Sequence, residues 1–328
     1  MQSSMELVHR VSVVICAHDD ARFEWLAAAV ASVFSQHPAP HEVVVVIDHN
    51  PDLLERAHDR FQDVRVVPNA DTKGLSGARN TGIRNARGDV IAFLDDDAEA
   101  RPGWLAGLRA AYDGSSILGV GGSIVPRWGS KAPAWFPDEY LWVLGCSYRG
   151  LPMRRAEVRN LIGCNMSFRR SVFEAVGGFR QSVGRGRGLP LGGEETELCI
   201  RATSALPGGT LVYEPAAVVD HRVPASRGRI SYFLTRCYSE GISKAYVVKF
   251  VGRGAGMRSE RRYLARTLTS GMARHLLSVR SEGAAGIARA AMIPVGLIAF
   301  GAGYFWGLVR FRTEQPIATV AQVPQLED

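Results

Sequence analysis

Three consecutive carboxylates, Asp95, Asp96 and Asp97, directly follow an apolar, β-prone run at residues 90–94. Such a run predicts a strand that is buried on both faces, and clustered like charge at its end requires a counter-charge. Open α/β sheets bind ligands at the carboxyl ends of their parallel strands, where a divalent cation carrying a polyphosphate would supply that charge. The alternative is a solvated acidic loop that also caps a helix beginning near Arg101.

Two further polar residues stand where a strand ends and where a helix begins. Asp48 directly follows a second apolar run. Its carboxylate could accept a hydrogen bond from a nucleotide base, or the residue could simply be part of a turn ahead of Pro51. Arg79 lies early in a helix expected to start near Leu75, where it could reach a phosphate or brace the acidic loop. The residue types leave both pairs of alternatives open.

A second acidic group, Glu194, Glu195 and Glu197, opens another predicted helix. Three acids in a first turn complement the positive helix N-terminus, so they need no catalytic explanation by themselves. His221 follows a short apolar run, and a lone histidine is usually structural. Residue types alone therefore assign no chemistry to these four side chains.

Short β-branched runs alternate with helical stretches from Val11 to about Gly122. This alternation predicts an α/β fold, Rossmann-like, with a mostly parallel sheet and helices on both faces. The expected strands are Val11–Cys16, Glu42–Ile47, Val64–Val67 and Asp89–Leu94, and the expected helices are Phe23–Phe34, Pro51–Phe61, Leu75–Ala86 and Pro102–Tyr112.

The next hundred residues are less regular. A strand near Ile117–Val125 precedes an irregular, aromatic-rich stretch, and the glycine- and arginine-rich loop Gln181–Gly193 is either a flap over a ligand or a plain surface loop. The remaining expected elements are strands at Leu161–Phe168, Thr210–Tyr213 and Ala217–Asp220, and helices at Arg170–Val176 and Glu194–Thr203.

The formal net charge is +7, and much of the excess lies after Arg222 in a stretch with few acids. Basic segments bind nucleic acid, anionic lipid or phosphorylated substrates, but the sequence has no zinc-finger spacing and no aromatic-interleaved RNA signature. We therefore expect no nucleic-acid partner. The five cysteines are scattered and form no C-x-x-C pair, which favours a reducing compartment and argues against a zinc site.

The C-terminal region, residues 227–328, is predicted to be helical and basic, and residues 1–226 are expected to form a separate catalytic domain. Ala290–Val309 is an uncharged run just long enough to span a bilayer, but Pro294 and several glycines weaken it as a continuous span. The sequence leaves two alternatives for this run: it inserts into a membrane, or it packs against the protein's own domain. The apolar run Val11–Ala17 is too short for a secretory signal, and basic residues crowd the N-terminal side of 290–309. Both observations predict that the catalytic domain faces the cytoplasm at the membrane.

From about Val11 to Lys249 the sequence resembles glycosyltransferase family 2, enzymes with the GT-A fold, because six blocks occur in that family's order. The blocks are Val11–His18, Asp48, Asn69–Gly82, Asp95–Asp97, Gly163–Arg170 with Gly177–Phe179, and Gly193–Leu198. The resemblance implies an inverting sugar transfer from a nucleotide-diphosphate sugar, with Mn²⁺ or Mg²⁺ as cofactor.

Site residues follow from the same resemblance, position by position. The residues expected around the nucleotide sugar are Ala17, Asp48, Arg79, Asp95, Asp96 and Asn165, with Asp48 reading a uracil base. Asp97 is the preferred metal carboxylate, and Asp95 and His221 are the other candidate ligands.

The general base is expected at Glu195, although the family usually has the aspartate of a Glu-Asp pair at this position. The additional methylene moves the carboxylate by about a bond length, so Glu194 remains the alternative base.

Arg159–Asn165 and Cys237–Lys244 are similar to the glucosyl-dolichyl-phosphate glucuronosyltransferase type within the family. This weaker resemblance makes UDP-glucuronate one candidate for the expected UDP-sugar donor. The basic C-terminal region and the apolar run indicate a lipid-linked sugar or a nascent polysaccharide as acceptor at a membrane surface.

Three other functions compete with this interpretation. A sugar-1-phosphate nucleotidyltransferase would need a glycine-rich loop and a lysine after the first strand, where this chain has Ala17–Asp20. A glycoside hydrolase would also use paired carboxylates, but a nucleotide-like first half does not suit it. A non-catalytic nucleotide-sugar-binding protein on the same fold is favoured only by the departure at Glu195.

Overall fold

The computed structural model describes residues 9–181, 192–251 and 263–311. The strands are β1 (Val11–Ala17), β2 (Glu42–Ile47), β3 (Arg65–Pro68), β4 (Val90–Asp95), β5 (Ala98–Ala100), β6 (Ile117–Trp128), β7 (Ala156–Val158), β8 (Asn165–Arg169) and β9 (Thr210–Val223). The helices are α1 (Phe23–Phe34), α2 (Pro51–Arg60), α3 (Leu75–Asn85), α4 (Trp104–Ala110), α5 (Arg170–Val176), α6 (Glu194–Ala205), α7 (Ile230–Val251), α8 (Thr269–Leu277), α9 (Val279–Glu282) and α10 (Ala284–Arg310). Shorter helical turns cover Asp20–Arg22, Asp138–Leu144, Ala225–Gly228 and Tyr263–Leu268.

The described strands form one nine-stranded sheet in the order β3-β2-β1-β4-β8-β6-β9-β5, with β7 paired to β9. Strands β1 to β4 are parallel, as are β6 and β9. Strand β8 is antiparallel to β4 and β6, and both β5 and β7 are antiparallel to β9. The predicted α/β class is confirmed, but the sheet is mixed, so the expected parallel arrangement holds mainly for its N-terminal half.

The register of the parallel strands brings three predicted site residues to one edge of the sheet. Cys16 pairs with Asp95 across β1 and β4, and Ala17 pairs with Ile47 across β1 and β2. Because Asp48 directly follows Ile47, the carboxyl ends of these strands place Ala17, Asp48 and Asp95 together.

Alternate side chains of β1 enter two separate hydrophobic cores. Val13 and Ile15 pack with residues of α1, α2 and α4 on one face, whereas Val14 packs with residues of α3, α5 and α6 on the other. Successive side chains of a strand point to opposite faces, so an unbroken apolar run serves both cores. The predicted helices on both faces are therefore present.

The second half of residues 1–226 departs from the expected elements. Strand β9 runs through Thr210–Val223 where the sequence predicts two short strands, and a register irregularity against Gly122 and Ser123 of β6 allows it to continue. Strand β8 begins at Asn165, four residues later than predicted. The predicted flap falls mostly on residues 182–191, which lie outside the described residues.

Helices of the C-terminal region dock on the turn Asp138–Leu144 through a buried carboxylate. Glu139 is fully buried, its Oε1 contacts Arg274, and its Oε2 lies 3.1 Å from Nε2 of His275. The hydroxyl of Tyr140 donates to the carbonyl of Ile293 at 2.9 Å. A buried charge is costly without partners, so these contacts hold α8 and α10 against the turn Asp138–Leu144.

Helix α10 packs closely on α7 through glycines and exposes its opposite side. It is long and apolar enough to cross a membrane, which no other helix in the described ranges is. A Cβ atom on Gly303 would lie 1.9 Å from the carbonyl oxygen of Tyr238. Ile298, Phe305 and Val309 are largely exposed. The helix therefore packs against its own protein and also presents an apolar face.

We predict opposite effects of two glycine-to-alanine substitutions in α10. Gly303→Ala should lower the midpoint of thermal unfolding, because the new methyl group overlaps the α7 backbone and overpacking typically costs about 1–3 kcal/mol. Gly301→Ala is the control: no atom lies within 4 Å of its added methyl, and alanine favours a helix by up to about 1 kcal/mol. Equal shifts in the unfolding midpoint would contradict the observed packing.

Candidate active site

A cavity of about 1630 Å³ opens at the carboxyl ends of β1, β2 and β4 and extends to α6, α7 and α10. This volume exceeds the roughly 300–1,000 Å³ of a typical small-molecule site, so it can hold two substrates. Nine of the ten predicted site residues line it: Ala17, Asp48, Arg79, Asp95, Asp96, Asp97, Glu194, Glu195 and His221. The sheet edge therefore gathers residues that are far apart in sequence.

Asp48 organises the loop that leads into α3. Its Oδ1 accepts hydrogen bonds from Asn69 at 2.7 Å and from His49 at 2.9 Å, and its Oδ2 accepts from the N–H of Gly74 at 2.8 Å. Burial raises the pKa of Asp48, but these hydrogen bonds outweigh it and lower the pKa below its ordinary value. The carboxylate stays ionised, and Oδ2 keeps a lone pair for a further donor.

Arg79 links the end of β4 to the start of α6. Its Nη1 donates to Oε1 of Glu194 and its Nη2 donates to the carbonyl of Gly163, both at 3.1 Å, while Oδ1 of Asp95 lies 3.5 Å away. Burial lowers the pKa of Arg79, but Asp95 and Glu194 more than offset this effect and raise the pKa. These contacts brace the end of β4 against the start of α6, and the contact of Arg79 with a phosphate stays a prediction.

Arg22 and His221 hold the other two carboxylates of the triplet. Nη2 of Arg22 lies 3.0 Å from Asp96 Oδ1 and also contacts Asp97, whose Oδ1 is 3.3 Å from Nε2 of His221. Burial raises the pKa of Asp97, but His221, Arg22 and Arg227 outweigh it, so the pKa is lowered. Burial raises the pKa of Asp96 to about 7, and Arg22 offsets this only in part.

A group of three side chains beside the triplet could hold a metal ion. One ligand atom each of Asp95, Cys164 and His221 lies within 4.8 Å of the others. Asp97 contacts the same histidine, and Oδ2 of Asp96 is buried without a hydrogen-bond partner among the described residues. Carboxylates suit Mg²⁺ and Mn²⁺, so Asp95 and Asp97 fit the predicted divalent cation, with His221 as a further ligand, whereas the thiol of Cys164 is not a ligand that these ions prefer.

Glu194 and Glu195 stand in different environments at the N-terminus of α6. Glu194 is bound to Arg79, whereas the half-buried Glu195 has no side-chain partner in another residue of the described segments. Burial, together with the charge of Glu194, raises the pKa of Glu195 to about 8, although Arg79 opposes the shift. An unpaired carboxyl group with a pKa near the working pH is suited to general-base catalysis.

Asn165 does not line the cavity, unlike the other nine predicted residues. Its fully buried amide accepts a hydrogen bond from Trp104 at 2.8 Å and donates to the carbonyls of Ser123 at 3.0 Å and Ala217 at 2.9 Å. Because its amide already joins β8 to β6 and β9, the structure gives Asn165 a structural role and argues against the predicted donor contact.

Arg22, Cys164 and Arg227 are site residues that the sequence reasoning did not single out. Arg22 lies shortly after the carboxyl end of β1, the sheet edge at which the predicted carboxylates lie. This position in the sequence could have identified it as a site residue. Cys164 lies inside a recognised block but has no partner in sequence. Arg227 is one of many basic residues in its part of the sequence, so nothing there distinguishes it. The path of β9 brings its Nη2 to 3.9 Å from Oδ2 of Asp97.

Comparison with known proteins agrees with the fold. Residues 12–177 match the family model for glycosyl transferase family 2. The glucosyl-dolichyl phosphate glucuronosyltransferase of Haloferax volcanii is 36% identical over 239 residues, which are 72% of this chain and 76% of that protein.

Two solved structures share the fold at low sequence identity. The mannosyltransferase PcManGT from Pyrobaculum calidifontis, in complex with GDP-Man and Mn²⁺, aligns with a TM-score of 0.59 over 91% of this chain and 87% of that chain, at 18% identity. GalNAc-T7 with UDP, GalNAc and Mn²⁺ aligns with a TM-score of 0.50 over 66% of this chain and 43% of that chain, at 21% identity.

Together the architecture and the carboxylate-lined cavity define a glycosyltransferase with the GT-A fold. The family match and the extent of the Haloferax alignment make the assignment specific: the chain belongs to glycosyltransferase family 2.

We predict that Arg79→Gln destabilises the protein by about 3–5 kcal/mol, because it leaves Glu194 and Asp95 without their buried counter-charge. Arg84→Gln on the same helix is the control, since Arg84 pairs with Asp71 at the surface and exposed pairs contribute under about 1 kcal/mol. Denaturant unfolding measures both. Similar losses of unfolding free energy in the two variants would show that the ion pairs of Arg79 with Glu194 and Asp95 do not stabilise the fold.

Proposed function

We propose that this protein transfers a sugar from a nucleotide-diphosphate sugar to an acceptor hydroxyl with inversion, using Glu195 as the general base. The observation that carries the proposal is the contrast within the acidic pair. Glu194 is bound to Arg79, whereas Glu195 is unpaired among the described residues, lines the cavity and has its pKa raised to about 8. Single displacement requires such a base on the acceptor side.

The donor end of the cavity is built by the residues at the sheet edge. Asp48 is held ionised and oriented by Asn69 and Gly74, which supports acceptance of a hydrogen bond from the imide N–H of uracil. This supports a UDP-sugar donor. The Haloferax relative is named as a glucuronosyltransferase, which makes UDP-glucuronate the first donor to test.

Asp95, Asp97 and His221 would hold a divalent cation, Mn²⁺ or Mg²⁺, with Cys164 beside them. When bound, that cation supplies positive charge to the departing diphosphate. Arg22 and Arg227 compensate the carboxylates of the triplet from the protein side, so the site accommodates a cation and a polyphosphate without an unpaired buried acid.

The acceptor and the location follow from the C-terminal region. The Haloferax relative is named for a dolichyl-phosphate-linked sugar, and α10 presents an apolar face beside exposed basic residues such as Arg280 and Arg310. These features support a lipid-linked acceptor and association with the cytoplasmic face of an anionic membrane. A nascent polysaccharide is the alternative acceptor.

We predict that Glu195→Gln lowers turnover by about 10²-fold or more while UDP affinity changes little, because a base acts in chemistry rather than in donor binding. In the wild type, kcat/KM should rise with pH through about 8, since Glu195 is active only when deprotonated. The variant should lose this inflection.

Glu194→Gln is the matched control for the same experiment. It removes the partner of Arg79, so it should lower the unfolding midpoint. It also removes a charge that raises the pKa of Glu195, so the pH inflection should persist but move to lower pH. If Glu194→Gln abolishes the inflection in folded protein and Glu195→Gln retains turnover, the base is Glu194 and the assignment within the pair is wrong.

A further inference from the structure

One member of the candidate metal group is a thiol, which Mg²⁺ and Mn²⁺ do not prefer as a ligand. Sγ of Cys164, one ring nitrogen of His221 and one carboxylate oxygen of Asp95 all lie within 4.8 Å of one another. Cys164 and His221 are each only 4% exposed, and Asp95 is half-buried. Thiolate and imidazole together are ligands that select Zn²⁺ over Mg²⁺.

Strand pairing brings these three residues together. The antiparallel pairing of Leu94 with Asn165 across β4 and β8 places the next residues, Asp95 and Cys164, beside each other. His221 arrives on β9, which pairs with β5 directly after the aspartate triplet. Ligand atoms around a tetrahedral zinc ion are about 3.5 Å apart, so the three side chains need to close by about 1 Å to bind one.

The ring of His221 is oriented as a metal ligand would be. Sγ of Cys146 lies 3.6 Å from its Nδ1, and Oδ1 of Asp97 lies 3.3 Å from its Nε2. The ring therefore presents Nε2 to the carboxylates, while Nδ1 has a partner of its own. A partner at the second nitrogen is what normally fixes the tautomer and direction of a metal-binding histidine.

Mn²⁺ and Mg²⁺ would obtain a different set of ligands at the same place. These ions use few protein carboxylates and complete their coordination with phosphate oxygens and water, so their binding depends on the nucleotide diphosphate. Asp95, Cys164 and His221 instead offer oxygen, sulfur and nitrogen from the protein alone. Three such ligands, with a fourth position open to water, satisfy tetrahedral Zn²⁺. Zn²⁺ therefore needs no nucleotide to bind here.

We propose that Asp95, Cys164 and His221 form a binding site for Zn²⁺, to which Cys164 binds as a thiolate after its proton passes to solvent. Because Asp95 and His221 are also proposed ligands of the Mn²⁺ or Mg²⁺ ion, Zn²⁺ excludes that ion and inhibits donor binding. The inference rests on the proposed function and deepens it, since it gives that site a regulator. The absence of a C-x-x-C pair argues against zinc ligands that are close in sequence, whereas these three come from separate segments.

The test uses Co²⁺ as a spectroscopic substitute for Zn²⁺, with the full-length protein and no nucleotide. Wild-type protein should show a thiolate-to-cobalt charge-transfer band in the near ultraviolet, and added Zn²⁺ should abolish it. Cys164→Ser should lack the band and bind Zn²⁺ about tenfold more weakly or worse in competition with a chelating dye. Its Mn²⁺ binding in the presence of UDP should change by less than about threefold, because that ion does not prefer a thiol.

Cys16→Ser is the matched control, because Cys16 also lines the cavity but lies outside the group of three. It should keep both the band and the Zn²⁺ affinity of the wild type. Cys146→Ser should keep the band as well, because Cys146 contacts the histidine ring from the Nδ1 side and is not a ligand. Absence of the band in the wild type, its persistence in Cys164→Ser, or equal losses in Cys16→Ser would overturn the site.

Competition with the catalytic cation is measured separately, as UDP affinity in Mn²⁺ with and without Zn²⁺. Zn²⁺ should weaken UDP binding to the wild type by about tenfold or more and affect Cys164→Ser much less. UDP affinity that is insensitive to Zn²⁺ in a wild-type protein with the cobalt band would overturn the inhibition. A wild-type protein that shows the band but binds no UDP with Mn²⁺ alone would count against the proposed function rather than the zinc site.

Discussion

The buried guanidinium of Arg79 is the interaction on which the site depends. A charge removed from water must be compensated nearly completely, and here the compensation comes from Asp95, Glu194 and the carbonyl of Gly163. These partners belong to the end of β4, the start of α6 and the loop before β8. One cation therefore fixes the distance between the end of β4 and the helix that carries Glu195.

The carboxylates of the cavity differ in role because their surroundings differ. Asp48 is stabilised as an anion by hydrogen bonds, Asp97 by His221 and two arginines, and Glu194 by Arg79. Glu195 shares a helix turn with Glu194 but has no cation of its own among the described residues. Separation of pKa values by environment is how neighbouring acids divide binding from proton transfer.

The N-terminal half of the fold was predictable because its elements are local. The predicted α1 coincides with the observed Phe23–Phe34, and Glu42–Ile47 is β2 in both. The antiparallel insertion of β8 between β4 and β6 was not predictable, because pairing between distant strands leaves no periodic signal in either one. The same limit explains the continuous β9, whose length is set by its partner β6.

For the site, sequence blocks indicated which residues gather but not what each one contacts. Asp48 and Arg79 each had two possible roles, and only the positions of Asn69, Gly74 and Glu194 show the hydrogen bonds that they make. Asn165 lies in a recognised block, yet its amide points into the sheet, because contacts with three other segments decide its direction. Such contacts are tertiary, and no spacing along the chain encodes them.

In the proposed reaction, a nucleotide-diphosphate sugar is consumed by one displacement at a metal-assisted site. The most direct measurement follows UDP-sugars, beginning with UDP-glucuronate, by proton NMR with a lipid-linked sugar acceptor, with the metal removed by EDTA before the spectra are taken. We expect UDP release only in reactions that contained Mn²⁺ or Mg²⁺, and a product whose anomeric configuration is opposite to that of the donor. Transfer without metal, or a product that retains the donor's configuration, would contradict it.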